Sequence, residues 1–360
     1  MQSKKYHYKN EFCICEELMK NGILRVDTPV LCAASTVGRK EFEGPLGAFF
    51  DLHDEYDRFN QKTWEKAESE MQRLSLNTAL SKADLSPDDI DAIFAGDLLN
   101  QCIGSSYGLL DFNVPYFGLY GACSTAVEGM LLASLLISAG YFKRCATVSS
   151  SHFCSAERQY RNPLEYGGQR SPTAQWTVTG AASFILGGNS NVRITEALPG
   201  IVIEKGINDA SNMGAAMAPA ALDTLTRYFS LSKTRPEDFD MIYTGDLGSE
   251  GSSILCELML AAGYRLDEHY ADCGNLIYHR TEQDVHSGGS GCGCSAVVLA
   301  SHVLPKLQSG ELRRVLAVGT GAMMSPSSLK QGLCIPAVAH LIRLEHIEDK
   351  SIKGDNYGRA

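Results

Sequence analysis

Short apolar runs bounded by small residues alternate along this chain with longer amphipathic stretches. The runs "CATVSSS" (145–151) and "VLAVGTGA" (315–322) are typical of strands in a sheet that is covered on both faces. A long amphipathic helix is predicted at about 62–83, with an apolar face formed by Trp64, Ala67, Met71 and Leu74. Strands that alternate with helices predict an α/β fold with parallel strands between helical layers.

The pattern occurs twice. "SPDDIDAIFAGDLLNQ" (86–101) has a counterpart in "RPEDFDMIYTGDLGSEG" (235–251), and each consists of a turn, a short apolar strand and a Gly-Asp-Leu exit. A second pair follows in the same order, at 121–152 and 289–322. Each member of this pair has a Gly/Cys-rich turn, a helix, a glycine stop, a basic pair and a buried strand. Two matches in the same order indicate an internal duplication.

The duplication predicts two similar halves, each with a mixed, mainly parallel sheet between helical layers. The N-terminal half is expected at 26–198 and the C-terminal half at 199–346. Residues 1–25 are expected to form a peripheral segment, and 347–360 a flexible tail.

Composition excludes several classes of protein. The 360 residues carry a formal net charge of −10, which argues against nucleic acid as a partner. No apolar run reaches the roughly 18 residues of a membrane-spanning helix. The first residues also lack the apolar core of a secretory signal. If the protein works at a membrane, we therefore expect a partner to dock it there.

The twelve cysteines are scattered through a chain that is too large to need disulfides, and they are expected to be reduced thiols. Two C-x-C pairs occur, Cys13 with Cys15 and Cys292 with Cys294. Neither pair has the spacing of a closed zinc site, so no metal and no cofactor is expected.

Cys123 lies in "YFGLYGACSTAVEGMLLAS" (116–134), between an apolar run and a predicted helix. Thr125 and Glu128 have the spacing of a capping box, which would place Cys123 at the positive end of the helix dipole. Such a position lowers the pKa of a thiol and suits a nucleophile or an anion site. The alternative is a small buried residue in a tight turn.

From about residue 28 to 345, the chain resembles the stage V sporulation protein AD family of endospore-forming bacteria, within the thiolase and ketoacyl-synthase superfamily. The segments that carry the resemblance are "EGPLG" (43–47), "LLNQ" (98–101), "GACST" (121–125), "SSSH" (149–152), "AERQYRNPLEYGGQ" (156–169), "MGAAMAPAA" (213–221), "ADCGNLIY" (271–278) and "GGSGCGCSAVV" (288–298). The resemblance implies a duplicated, thiolase-like αβαβα fold.

The resemblance also implies a function. The family is implicated in moving dipicolinic acid into the developing spore, and it binds that ligand rather than being a known synthase. A non-enzymatic dipicolinate-binding protein is therefore expected, with entry of calcium alongside the ligand left open. It would lie peripherally on the cytoplasmic side of the inner (forespore) membrane, with membrane-embedded partner proteins of one transport complex. The alternatives are a condensing enzyme that uses Cys123 as its nucleophile, and an assembly subunit with a vestigial pocket.

Condensing enzymes similar to this chain pair the cysteine with a histidine and with either an asparagine or a second histidine. The corresponding loops here offer Asp246, and then Cys292 and Cys294. Because a nearby carboxylate raises the pKa of a thiol, Cys123 is expected to be a vestigial nucleophile. Neither His152 nor His286 is expected to restore the full site.

The ligand site is expected between the halves, where the carboxyl ends of the central strands meet. Arg158 and Arg161 could present a bidentate fork to a carboxylate, although a solvated face or an interface salt bridge explains them equally well. The predicted ligand-binding residues are Cys123, Ser124, Ser149, Ser150, His152, Arg158, Arg161, Asp246, Gly289, Cys292 and Cys294. Superfamily members also resemble one another in pairing across a two-fold axis, which implies a homodimer through the strand near 115–120.

Overall fold

The computed structural model describes residues 22–160 and 169–348. Most of the predicted peripheral segment 1–25 and of the predicted tail 347–360 lies outside these residues. The strands are β1 (Leu24–Gly38), β2 (Leu52–Asp54), β3 (Ala92–Gly96), β4 (Tyr116–Gly118), β5 (Arg144–Ser151), β6 (Trp176–Thr177), β7 (Gly180–Gly187), β8 (Val192–Leu198), β9 (Met241–Thr244), β10 (Tyr270–Asp272), β11 (Gly289–Ser290), β12 (Arg314–Ala322) and β13 (Ala337–His346). The helices are α1 (Arg39–Phe42), α2 (Trp64–Lys82), α3 (Ile103–Gly108), α4 (Thr125–Ser138), α5 (Phe153–Tyr160), α6 (Met213–Ser232), α7 (Gly248–Ala261), α8 (Cys273–Leu276), α9 (Cys292–Val298), α10 (Leu304–Ser309) and α11 (Pro326–Lys330).

The two halves contain sheets of the same topology. The first sheet has the strand order β4-β3-β5-β7-β1, and the second has the order β10-β9-β12-β13-β8. In each sheet the first three strands of this order are parallel to one another. The fourth strand is antiparallel to the third, and the fifth is antiparallel to the fourth. This equivalence confirms the duplicated α/β fold that the sequence predicts.

The long strand β1 connects the sheets. Its residues 24–29 pair with β8 of the second sheet, and its residues 30–37 pair with β7 of the first sheet. The predicted boundary between the halves at residue 198 stays a prediction.

Helices lie between the sheets and on both outer faces, which gives five layers. The central layer contains α4 and α9, and a π turn (Leu299–Val303) continues α9 into α10. Val127 and Met130 of α4 and Val297 of α9 are almost fully buried in one core with strands of both sheets. Burying each such side chain contributes about 1.5–3 kcal/mol, which explains why these helices are apolar on nearly every side.

The outer helices have a single apolar face. Leu76 and Leu80 of α2 pack on the first sheet, and Leu225 and Phe229 of α6 pack on the second. Helix α2 confirms the helix predicted at about 62–83, and its N-terminus is capped by Thr63, whose side chain accepts a hydrogen bond from the Lys66 amide at 3.3 Å. Within residues 22–160 and 169–348, no helix combines the length and apolar character of a membrane span.

Candidate functional site

The Cys123 turn lies where the two halves meet. It is a short 3₁₀ turn (Ala122–Ser124) directly before α4, and Ala122 has a left-handed backbone with a φ of 49°. Strand β12 of the other half presses against it, since a Cβ on Gly321 would lie 2.2 Å from the Gly121 carbonyl oxygen. Only glycine permits this approach, which fixes Cys123 at the junction of the halves.

The predicted capping box does not form. Helix α4 begins at Thr125 itself, and the Thr125 hydroxyl donates to the Ala122 carbonyl at 2.7 Å and accepts from the Gly121 amide at 3.1 Å. The Glu128 carboxyl has a buried oxygen without a hydrogen-bond partner, and burial raises its pKa. Thr125 therefore stabilises the turn that carries Cys123 rather than capping the helix with Glu128.

A small cavity opens above Cys123 at the junction of the two halves. Both halves contribute to its wall, which is mainly apolar and aromatic. The lining residues are Leu98, Tyr120, Ala122, Cys123, Ala156, Glu157, Tyr160, Thr177, Met213, Ser290, Ala322 and Met324.

Asp246 is the buried carboxylate next to Cys123. Its oxygens accept hydrogen bonds from the Ser290 hydroxyl at 3.0 Å, the Gly291 amide at 3.0 Å and the Thr320 hydroxyl at 2.8 Å. The Ser290 hydroxyl also lies 3.9 Å from the Cys123 sulfur. Burial raises the pKa of Asp246, and hydrogen bonding by the Cys123 thiol and by the three donors above counteracts this effect.

The environment of Cys123 disfavours its thiolate. Burial is the largest cause that raises the pKa of this thiol well above its ordinary value, and the Asp246 carboxyl is the second. The lowered pKa expected from the position of Cys123 before α4 is therefore wrong, whereas the rise expected from Asp246 agrees with the structure. A helix terminus contributes about half a unit charge, and here burial and a carboxylate outweigh it.

The second Gly/Cys-rich turn lies against the Cys123 turn, but its two cysteines are not among the residues that line the cavity. Cys292 is buried, and its thiol donates to the Ala122 carbonyl at 2.9 Å. Cys294 is also buried, with its sulfur 3.6 Å from the Gly245 carbonyl oxygen. The Gly289 carbonyl accepts from the Gln175 side chain at 2.9 Å. These residues support the turn that holds Ser290 in the cavity wall.

His152 and the serines before it are not among the residues that line the cavity. The His152 ring is buried, accepts from the Cys154 amide through Nδ1 at 3.1 Å and donates through Nε2 to the Asp57 carbonyl at 2.8 Å. Burial lowers the pKa of His152 to about 4. With both nitrogens occupied, it is a structural histidine. Ser149 is buried on β5, and Ser150 donates to Glu68 of α2.

The remaining predicted residues are also outside the cavity lining or beyond the described part of the chain. The Ser124 hydroxyl donates to the Gly121 carbonyl at 2.7 Å inside the turn. Arg158 forms an ion pair with Glu65 at the surface, where both side chains are partly exposed. Arg161 lies outside the described residues. The structure thus brings Cys123 and Asp246 together and directs Arg158, His152 and Ser150 elsewhere.

Sequence reasoning missed the aromatic wall. Tyr120 follows β4 and Tyr160 ends α5, and their hydroxyls are hydrogen-bonded to each other. The Tyr160 hydroxyl also donates to the Leu98 carbonyl, which ties together three lining residues from three separate segments. Tyr160 lies inside the segment 156–169 that carries the family resemblance, next to Arg161 and near Arg158, whose charge is the stronger sequence signal for anion binding.

We expect Cys123 to be chemically inert, because its environment disfavours the thiolate that reacts. At pH 7 an alkylating reagent should label the partly exposed Cys334 at least about tenfold faster than Cys123. Intact-mass spectrometry should also show no acyl adduct after incubation with acetyl-CoA or malonyl-CoA. An acyl adduct that disappears in Cys123→Ser would contradict this prediction.

Comparison with known proteins identifies relatives over nearly the whole chain. The family model described as Stage V sporulation protein AD matches residues 20–345. The protein of that name from Bacillus subtilis (strain 168) is 43% identical over 314 residues, which is 87% of this chain and 93% of the relative.

Several solved structures share the fold of this chain at low sequence identity. The 3-oxoacyl-[acyl-carrier-protein] synthase III of Aquifex aeolicus VF5 is 12% identical, with a TM-score of 0.54 over 88% of this chain and 99% of that chain. Cerulenin-bound OleA of Xanthomonas campestris is 14% identical, with a TM-score of 0.57 over 89% of this chain and 97% of that chain. These similarities show a thiolase-like fold.

Proposed function

Because this chain belongs to the stage V sporulation protein AD family, we propose that it is a non-enzymatic protein that binds dipicolinate in the cavity above Cys123. The observation that carries the proposal is the pairing of Cys123 with the buried carboxyl group of Asp246, which raises the pKa of the thiol at a position where similar condensing enzymes are expected to have a histidine. The fold of an acyl-transferring enzyme is then retained around a cavity that binds a ligand without reacting with it.

The cavity wall suits a planar aromatic ring. Tyr120 and Tyr160 offer aromatic faces, and Met213 and Met324 offer polarisable apolar surface from the other half. The Thr177 and Ser290 side chains add polar groups that could orient the ligand. A ring with polar substituents at its edge therefore matches the mixture of surfaces in this wall.

The charge of the cavity wall determines whether dipicolinate needs a cation in order to bind there. Among the lining residues that the structure describes, Glu157 is the one with a charge at neutral pH, and its charge is negative. Dipicolinate carries two negative carboxylates, so a cation has to accompany it or come from the protein. Arg161 follows Tyr160 in the sequence and remains the predicted partner of a carboxylate, with calcium bound by the ligand as the alternative.

Calorimetric titration tests the proposal. Purified protein should bind dipicolinate with and without calcium, and it should bind benzoate more weakly because one carboxylate is missing. An acyl-CoA should neither bind comparably nor acylate the protein. Turnover of an acyl-CoA with no binding of dipicolinate would favour the condensing-enzyme alternative.

We also propose that the protein acts in uptake of dipicolinate into the developing spore. In this role it would lie on the cytoplasmic side of the forespore membrane, bound to membrane-embedded proteins of the same complex. The family membership supports a role in sporulation, and the ligand cavity supports a role in capture.

A homodimer is expected through β4, which is the edge strand of the first sheet and is exposed along its length. An unpaired edge strand promotes association, and here the exposed apolar side chains of Tyr107 and Leu110 lie in the preceding segment. Light scattering should give the mass of a dimer at micromolar concentration, and Leu110→Glu should shift it toward the monomer. A parent protein that is monomeric under these conditions would contradict the expectation.

A further inference from the structure

A buried hydrogen-bonded network with two carboxyl groups lies behind the first-half wall of the cavity. Glu68 and Gln72 come from α2, and Asp97 follows β3 directly. The network is completed by three buried serines from three elements: Ser105 of α3, Ser150 of β5 and Ser155 of α5. None of these residues lines the cavity, and the proposed function does not use them.

One end of the network supports the cavity segment that contains Leu98. Asp97 immediately precedes this lining residue. The Asp97 carboxylate accepts hydrogen bonds from the Leu99 amide at 2.9 Å, from the Ser105 amide at 2.7 Å and from the Ser105 hydroxyl at 2.6 Å. The following residues Gln101 and Cys102 both have left-handed backbones, so this segment needs such anchoring to keep its conformation.

The other end of the network supports helix α5. Ser155 immediately precedes the lining residue Ala156, and its hydroxyl lies 2.6 Å from Oε2 of Glu68. The two ends are joined through Ser150, which donates to Oε1 of Glu68 at 3.0 Å. The Gln72 amide donates to Ser150 at 2.7 Å and to Ser105 at 2.9 Å. A continuous chain of hydrogen bonds therefore connects two separate parts of the cavity wall.

The hydrogen-bond geometry permits a neutral Glu68. The Ser155 hydroxyl has a second acceptor, the His152 carbonyl at 3.1 Å, so a protonated Glu68 can donate to Ser155 while Ser155 donates to His152. Every hydrogen then has an acceptor. An ionised Glu68 would instead accept hydrogen bonds from both Ser150 and Ser155, and its charge would be repelled by the charge of Asp97.

Among the described residues, the groups with the largest electrostatic effect on the two carboxyls carry no positive charge, and Arg158 of α5 is paired with Glu65. These groups are Asp97 and Glu65 around Glu68, the Cys292 thiol around both carboxyls, and the Cys102 thiol and Tyr116 hydroxyl around Asp97. Burial, followed by the charge of Asp97, raises the pKa of Glu68 to about 8. Burial raises the pKa of Asp97 as well, so the two neighbouring carboxyls resist being ionised together. Glu68 is the better site for a proton, because its partners are hydroxyls that can accept a hydrogen bond, whereas two backbone amides that only donate face Asp97.

We propose that Glu68 is a positioning residue of the cavity, whose neutral form holds the segment 97–102 and helix α5 in the geometry that binds ligand. Loss of its proton places two negative charges in one buried network, and the two parts of the wall separate to admit water. This inference rests on the proposed function, because it takes the cavity as the ligand site.

Dipicolinate titrations at pH 7 and pH 9 test the proposal, since the ligand itself does not change charge in this interval. The parent protein should bind at least about threefold more weakly at pH 9, because ligand affinity is linked to the proton on Glu68. Glu68→Gln keeps a neutral side chain of the same shape, so its affinity should be the same at both values of pH. An unchanged pH dependence in Glu68→Gln overturns the proposal.

Glu41→Gln is the matched control. Glu41 is also a buried carboxyl whose pKa burial raises, to about 7, and it accepts a hydrogen bond from the Thr179 amide at 3.0 Å. Neither Glu41 nor Thr179 lines the cavity. This variant should keep the pH dependence of the parent, and loss of the dependence in it would also overturn the proposal.

Hydrogen exchange separates failure of this inference from failure of the proposed function. If the parent binds no dipicolinate at either pH, the proposed function is wrong, and exchange of the free protein still tests the network. After correction for intrinsic rates, amides of 97–102 and 153–160 should exchange faster at pH 9 than at pH 7 in the parent and in Glu41→Gln. Equal protection of these segments in the parent at both values of pH overturns the inference, even if Glu68→Gln does not fold.

Discussion

Replacing Met324 with tryptophan is expected to abolish measurable dipicolinate binding. Met324 lines the cavity from the second half and is only partly buried, so a larger side chain can enter the cavity without displacing the core. The indole would occupy space in this small cavity that the ligand ring needs. We expect an affinity loss of about a hundredfold or more, which is ~2.7 kcal/mol.

Met323→Trp provides the matched control. Met323 has a similar intermediate exposure and is adjacent in the chain, yet it is not among the lining residues. The Met323→Trp variant should bind dipicolinate like the parent, as measured by calorimetry on proteins with equal thermal unfolding midpoints. If Met324→Trp also binds like the parent, the ligand site lies outside this cavity.

Replacing Arg161 with alanine is expected to weaken dipicolinate binding by tenfold or more. The described lining residues provide Glu157 and no cation, so a carboxylate of the ligand needs a charged donor from another residue. Loss of a charge-assisted bidentate contact costs about 1.5–3 kcal/mol. The titration should be run without calcium, so that the metal does not replace the missing charge.

Arg158→Ala is the comparison for this prediction, because Arg158 is already engaged by Glu65 at the surface. A partly exposed ion pair contributes about 0–1 kcal/mol, so this variant should change binding by less than about threefold. A larger effect of Arg158→Ala than of Arg161→Ala would show that the surface pair, rather than Arg161, is in contact with the ligand.

The fold could be predicted from sequence because its signals are local and repeated. Each half contains a Gly-Asp-Leu exit after a buried strand, and Gly140 and Gly310 both adopt the left-handed conformation expected where a helix stops. The repeats also placed Asp97 and Asp246 at equivalent strand ends, β3 and β9. Such periodic features depend on neighbours in the chain, which a sequence displays directly.

The site was predicted only in part, because side-chain direction and partner choice depend on distant residues. Cys123 and Asp246 were correctly brought together, since both follow strands of the duplicated pattern. Ser150 instead donates a hydrogen bond to Glu68 of α2, and Arg158 forms an ion pair with Glu65. No local sequence signal specifies either partner. The Tyr120–Tyr160 contact spans 40 residues and joins the loop after β4 to the end of helix α5, and no sequence period indicates it.

The pKa of Cys123 shows why position along the chain is not enough. The turn before a helix was expected to favour a thiolate, yet Cys123 is 5% exposed and lies beside a carboxyl group. Burial and the neighbouring charge arise from the packing of the second half on the first. Their effect on the thiol opposes that of the helix terminus and exceeds it.

A crystal structure of the protein with dipicolinate, grown without acyl-CoA, tests the central claim most directly. We expect the pyridine ring in the cavity between Tyr160 and Met324, with the Cys123 sulfur unmodified and no bond to the ligand. Dipicolinate bound at a different place, or an empty cavity at a ligand concentration that saturates binding in solution, would contradict the proposed function.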